Sequence, residues 1–128
     1  MDSNGMNIPK LAAFLCCQRI QQDVISKNYD LANVFQGFRP PGYPFGTEFA
    51  TFARFFHDKG GEYQVDISLT DEAGVAVVEN RPKRIVFGET PMHDLMTSWR
   101  VVFPKAGAYT FKVFVNNRNI GEYRIFCR

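Results

Sequence analysis

The chain has 128 residues, of which 45% are hydrophobic and 22% charged, and its formal net charge is +2. This length and composition exclude a disordered chain and predict one globular domain over 1–128, with a loosely ordered tail at 1–8. The charge is too weak for the concentrated basic surface that nucleic acid requires, so no nucleic-acid partner is predicted.

The N-terminal region predicts neither export nor membrane insertion. Residues 1–7 are polar, and the apolar stretch at 11–17 is far shorter than the roughly 20 residues that span a bilayer. The cysteines, Cys16, Cys17 and Cys127, are odd in number and follow no signal peptide. They therefore indicate reduced thiols in a cytoplasmic protein. Since no membrane-spanning segment is predicted, no membrane partner is predicted either.

The first half of the chain predicts strands that lack a regular alternation. Residues 11–18 are almost continuously apolar, which is typical of a strand buried on both faces. Residues 29–38 and 49–56 are rich in apolar side chains at mixed spacing. Between them, 37–46 contains three prolines and three glycines and predicts a loop, since proline cannot pair within a ladder.

The second half alternates apolar and polar residues with a period of two. This pattern predicts strands with one buried and one solvated face. The turn at 116–119 is rich in Asn, which tolerates the left-handed conformations of tight turns. The strands are predicted at 63–70, 99–103, 109–115 and 123–127.

These elements predict an all-β fold, a two-sheet antiparallel sandwich of the immunoglobulin-like kind with seven to eight strands. At most one short helical turn is expected, at 91–98, where Pro91 precedes apolar residues at helical spacing. Tyr109 opens the penultimate strand, the position from which a tyrosine hydroxyl bonds back to the backbone in such sandwiches.

Several short motifs occur along the strands so placed. They are Lys10-Leu11-Ala12-Ala13-Phe14-Leu15-Cys16, Leu31 with Val34-Phe35, Pro44-Phe45, and Phe103-Pro104 followed by Gly107-x-Tyr109. Through these motifs, over 11–127, the chain resembles a family of small bacterial proteins classed only as a domain of unknown function. The resemblance implies a small β-sandwich, and it supplies no reaction, substrate or functional residue.

Catalytic and metal-binding patterns are missing from the sequence. His57 and His93 each precede an aspartate, but neither has a second histidine within four residues, and a metal site needs three or four converging ligands. Cys16 and Cys17 lie in an apolar strand, where burial makes a thiol unreactive. No catalytic residue, cofactor or metal ligand is therefore predicted, and a non-enzymatic protein is favoured.

A basic cluster at Arg81, Lys83 and Arg84 surrounds Pro82 and precedes an apolar run. Two interpretations stay open. The cluster could contact an anion or an acidic partner, or it could be the solvated face of an edge strand, where Lys and Pro discourage edge-to-edge pairing.

An outward-facing apolar patch is a further candidate site. If Trp99, Tyr109 and Tyr123 face inward, then three residues face outward on three consecutive strands, namely Val102, Phe114 and Phe126. Exposed apolar side chains that gather in one patch usually mark an interface, whereas a second core layer would hide them.

The leading hypothesis is a non-enzymatic binding or interaction module, acting on a second copy of itself or on a protein partner. The alternative is a small-molecule binder or minor enzyme whose site lies in the loops at 39–45 and 89–94. The fold alone does not choose between the two.

Overall fold

The computed structural model describes residues 8–128, and within this range the chain forms nine strands and no helix. The strands are β1 (Lys10–Gln22), β2 (Tyr29–Phe35), β3 (Gly37–Phe38), β4 (Phe45–Phe56), β5 (Gly61–Thr70), β6 (Lys83–Phe87), β7 (Met92–Phe103), β8 (Gly107–Val115) and β9 (Arg118–Cys127).

The nine strands form two sheets. One has four strands in the order β2-β1-β4-β7, and the other has five in the order β3-β9-β8-β5-β6. All neighbours are antiparallel except β3, which pairs parallel with β9 over two residues. The prediction of an all-β, two-sheet sandwich is confirmed. The strand count exceeds the predicted seven to eight partly because Gly37–Phe38 forms a separate short strand.

The core lies between the inner faces of the two sheets. Each long strand of the five-stranded sheet contributes every second residue, as Val65, Ile67 and Leu69 of β5 show. Aromatic side chains fill the middle, where Phe49 and Trp99 lie edge-on to Phe111. The alternation predicted for the second half of the chain is therefore the alternation between core and solvent.

Tyr109 ties the start of β8 to the preceding turn. Its hydroxyl donates a hydrogen bond of 2.6 Å to the backbone carbonyl of Lys105. The ring is almost completely buried beside Phe103, so the phenol body packs in the core while its polar end is satisfied by the turn.

The helical turn predicted at 91–98 is wrong, because this segment is the first part of β7. The strand pairs with β4 along its whole length, from Phe56 opposite Met92 to Phe45 opposite Phe103. Met92 and Met96 are 38% exposed, whereas Leu95 packs against the core. The apolar spacing that resembled a helix arises because the outer face of this sheet also carries apolar side chains.

The outer face of the four-stranded sheet is partly covered by the chain itself. Phe52 of β4 lies on this face and is nevertheless buried. The ring of Tyr29, at the start of β2, lies 5.5 Å from the Phe52 ring, and the guanidinium of Arg54 lies 5.4 Å from its centre. Arg54 also forms a two-pronged ion pair with Asp94 of β7, at 2.7 and 3.0 Å.

The predicted tail at 1–8 lies outside the described residues except for Ile8. That side chain packs against the core rather than extending into solvent. Among the residues described, none forms a helix long and apolar enough to cross a membrane.

Candidate functional site

The free edge of β7 presents pairing backbone beside a cavity. β7 ends the four-stranded sheet, so β4 pairs with one of its edges and no described strand pairs with the other. Alternate residues of an antiparallel strand direct their N–H and C=O groups to opposite sides. About half of the backbone polar groups of this twelve-residue strand therefore point away from β4.

A groove of about 620 Å³ runs along this edge, between β7 and the chain that leads into β6. One wall is formed by six consecutive residues of β7, Leu95–Arg100. The opposite wall comes from the connection between β5 and β6 and from the start of β6. We call this cavity the edge groove; its remaining lining residues are Glu48, Val65, Ile67, Val78, Glu79, Arg81 and Lys83.

The connection that forms the far wall is held in place by backbone and side-chain hydrogen bonds. The amide of Val77 donates to the carbonyl of Leu69 at 3.0 Å, which continues the β5 edge past its turn. The side-chain amide of Asn80 donates to the Asp66 carboxylate at 3.3 Å. The wall is therefore anchored to β5 on both sides of Val78 and does not depend on β7.

The base of the edge groove is apolar, whereas much of the remaining lining is polar or charged. Val65 and Ile67 of β5 lie at its base, and Leu95 and Trp99 project from β7. The indole N–H of Trp99 donates a 2.8 Å hydrogen bond to the buried hydroxyl of Thr51, which fixes the orientation of the ring.

One polar group in the groove is unsatisfied. The hydroxyl oxygen of Thr97 is buried and has no hydrogen-bond partner among residues 8–128. Buried hydroxyls in folded proteins are normally paired, so this one marks a place where a further donor or acceptor would lower the free energy.

The predicted basic cluster is divided by the alternation of β6. Lys83 lies opposite Val65 on the inner side and lines the groove, as does Arg81 just before the strand. Arg84 faces the other way, with a guanidinium nitrogen 3.9 Å from the Glu62 carboxylate. The structure thus brings two of the three cations to the groove and leaves the third outside.

The predicted apolar patch is not formed as one surface. Val102 lies on the outer face of the four-stranded sheet, whereas Phe114 and Phe126 lie on that of the five-stranded sheet. Phe126 pairs with Ala108 and Phe114 with Asn119, which separates the two rings by roughly 20 Å along the ladder. The prediction of a contiguous patch is wrong, and a contact role for any single one of these residues stays a prediction.

The loops proposed for a small-molecule site do not meet. β4 begins at Phe45, the last residue of 39–45, and ends opposite Met92, so these loops lie at opposite ends of the β4–β7 ladder. A ladder of this length spans roughly 35 Å. A single pocket joining 39–45 with 89–94 is therefore excluded.

The histidines and cysteines occupy structural positions. His57 is buried, with Nε2 2.8 Å from the Tyr63 hydroxyl, and His93 Nδ1 donates to the Val86 carbonyl at 3.2 Å. Burial raises the pKa of the Cys16 thiol to about 12 and that of Cys127 to about 11. Within 8–128, no three His, Cys, Asp or Glu side chains are close enough to hold a metal ion.

The sequence pattern does not predict the β7 wall of the groove, because the apolar spacing at 91–98 also fits a helical turn. The signal that could have identified it is the continuation of the period of two upstream of Trp99. Leu95 and Thr97 lie an even number of residues before Trp99, so in a strand they face the same side as Trp99. Thr is also a strand-favouring residue.

A two-sheet β-sandwich with a groove along one unpaired edge is the class of protein that the fold and the site define. The chain belongs to DUF6941, a family of unknown function, whose model matches residues 12–128. The resemblance seen in the sequence is thereby confirmed. No curated protein matches the chain significantly.

Solved structures share the fold with this chain. The alkylpurine DNA glycosylase AlkC of Pseudomonas fluorescens, bound to DNA containing an abasic site analog, matches with a TM-score of 0.50 and 11% identity, over 73% of this chain and 28% of that one. A glycosyl hydrolase family 2 member from Bacteroides cellulosilyticus matches with 0.51 and 11%, over 70% and 13%. The chain spans less than a third of either protein, and identities this low show the fold alone.

Proposed function

We propose that this chain is a non-enzymatic interaction module whose edge groove receives an extended segment of a partner protein. The segment adds to the four-stranded sheet as a fifth strand beside β7. The observation that carries the proposal is the unpaired edge of Leu95–Arg100, which forms one continuous wall of a cavity.

Strand addition matches the chemistry of both walls. The incoming backbone satisfies the free N–H and C=O groups of β7, and pockets for alternate side chains supply specificity. The apolar base at Val65 and Ile67 provides such a pocket.

We also propose that the sandwich is immunoglobulin-like and that the protein is cytoplasmic. The order β1-β4-β7 facing β9-β8-β5-β6, together with the Tyr109 bond to Lys105, supports an immunoglobulin-like sandwich. Three free, buried cysteines support a reducing compartment, the cytoplasm.

A second candidate is a small-molecule site in the same groove. Its volume of about 620 Å³ falls within the range of ligand pockets, and Trp99 offers an aromatic wall. The test below separates the two candidates, because only a segment paired with β7 makes regular backbone hydrogen bonds.

The test is a selection of peptides from a displayed random library, followed by hydrogen exchange on the protein with each selected peptide. Strand addition predicts slowed exchange at amides within Leu95–Arg100. It also predicts that N-methylation of alternate peptide residues abolishes binding, while methylation of the intervening residues is tolerated, because only every second peptide residue faces β7.

The matched control is the same peptide methylated at the intervening residues, which do not face β7. Binding that is insensitive to the methylation pattern, or that protects amides elsewhere, would contradict strand addition. A small-molecule site would instead be supported if no displayed peptide slows exchange at Leu95–Arg100 while library compounds shift the fluorescence of Trp99, the only tryptophan.

A further inference from the structure

The far wall of the edge groove carries cations that form no ion pair with the described part of the chain, residues 8–128. Arg81 and Lys83 line this wall, and neither forms an ion pair with a carboxylate of residues 8–128. The neighbouring Arg84 and Arg100 do have such partners, Glu62 at 3.9 Å and Glu48 at 3.3 Å respectively.

The acidic residues of the groove offset this charge only in part. Glu48 is already paired with Arg100, so the two cancel. Glu79 lines the same wall as Arg81 and Lys83 without pairing with either, which leaves one net positive charge. An occupant that brings carboxylates would complete the wall electrostatically.

The positions of these groups define what a paired segment would present. A strand beside β7 directs alternate side chains into the space between the sheets and out toward solvent. Inward side chains meet Val65, Ile67 and Trp99 at the base, and Arg81 and Lys83 at the rim. The groove therefore suits a segment whose inward-facing side chains include both apolar and acidic residues.

A second copy of this chain fits the groove less well. The strand that would pair edge to edge is β7 itself, which would have to supply the carboxylates for Arg81 and Lys83. The only carboxylate in β7, Asp94, is already held by Arg54 at 2.7 Å. A second copy therefore brings no unpaired carboxylate from β7 to Arg81 and Lys83.

From these observations we infer that the partner segment is an extended acidic and apolar peptide, held by Arg81 and Lys83 while it pairs with β7. This inference rests on the proposed strand addition and specifies its ligand chemistry. Carboxylates of the segment lie on the wall formed by the β5–β6 connection.

The experiment uses three end-capped, eight-residue probe peptides that repeat Val-Val-Glu-Glu, Val-Val-Gln-Gln or Val-Val-Lys-Lys, so that each face of the strand carries both residue types. Binding is followed by Trp99 fluorescence and by hydrogen exchange at Leu95–Arg100. We expect the Glu peptide to bind roughly ten-fold more tightly than the Gln peptide, and the Lys peptide to bind least. Because the charges are solvent-accessible, added salt is expected to remove the difference.

The variant that tests the wall is Arg81→Glu with Lys83→Glu, and the matched control is Arg84→Glu, which changes a cation outside the groove. The double variant is expected to reverse the preference between the Glu and Lys peptides. The control is expected to keep it. Circular dichroism of each variant verifies that the sandwich is folded.

The possible outcomes are distinguishable. Equal binding of all three peptides with protection at β7 would overturn the acidic preference and leave strand addition intact. No protection at β7 with any peptide would overturn both. Protection that rises with protein concentration alone would identify a second copy as the occupant and overturn the inference.

Discussion

At the scale of single residues, the hydrogen bond from Trp99 to Thr51 shows how a groove residue is fixed by a core polar group. The indole N–H lies 2.8 Å from the Thr51 hydroxyl, and both side chains are buried. A buried donor without an acceptor costs about 1–3 kcal/mol. We expect Thr51→Val, which preserves shape and removes the acceptor, to lower the free energy of unfolding by about this amount in urea titrations.

The control for this prediction is a double-mutant cycle with Trp99→Phe, which removes the donor. In that background Thr51→Val should cost little, because no N–H is left unpaired. An equal cost in both backgrounds would show that the Thr51 hydroxyl acts through some other contact.

A second prediction at this scale concerns the Cys16 thiol and alkaline pH. Burial, with a smaller contribution from Cys17, raises its pKa from 9.0 to about 12. Between these values the unfolded chain loses a proton that the folded chain keeps, so stability falls as the pH rises through this window. Urea unfolding at about pH 8 and about pH 10.5 should show a larger loss for the wild type than for Cys16→Ala.

The alanine variant also removes core volume, which lowers stability at every pH. The comparison therefore uses the change with pH in each protein and not the absolute stability. Identical changes in the two proteins would exclude Cys16 as the source of the alkaline loss.

At the scale of elements, the turn between β8 and β9 is a two-residue loop with both residues in the left-handed region. Asn116 has φ 48° and Asn117 has φ 67°. The side-chain oxygen of Asn116 also accepts a hydrogen bond of 2.9 Å from the backbone amide of Gln64. Asn117 contributes mainly its backbone conformation. We expect Asn117→Gly to preserve stability and Asn117→Ala to cost about 1 kcal/mol, measured by urea unfolding.

An alanine variant as stable as the glycine variant would mean that the turn changes type at little cost. The asparagine-rich sequence predicted a turn at 116–119, and the structure narrows it to two residues, since β9 begins at Arg118. Left-handed conformations of this kind can be predicted from the sequence because few residues adopt them.

β7 shows the opposite case, an element whose type could not be predicted from its own residues. Met92, Leu95 and Met96 fit a helix as well as a strand. Pairing with β4 determines that this segment is a strand, because β4 supplies a ladder partner for every residue from Met92 to Phe103. Long-range pairing of this kind overrides local pattern, and a single sequence carries little information about it.

At the scale of the whole molecule, the sequence predicted the two-sheet sandwich because β5, β8 and β9 each alternate cleanly. It could not predict which strands share a sheet. For that reason Val102 was grouped with Phe114 and Phe126, although a different sheet carries it. The edge groove depends on the same information, since it exists only because β7 ends one sheet and β6 ends the other.

The pairing of β4 with β7 also bears on how the chain folds. These strands are joined through β5 and β6, which belong to the other sheet, so their ladder brings together residues as distant as Phe45 and Phe103. The entropy of closing such a loop is lost before any contact compensates for it, and folds of this type form on the millisecond-to-second scale. The wall formed by Leu95–Arg100 is thus assembled only after distant parts of the chain have met, and a nascent chain acquires the edge groove no earlier than the sandwich itself.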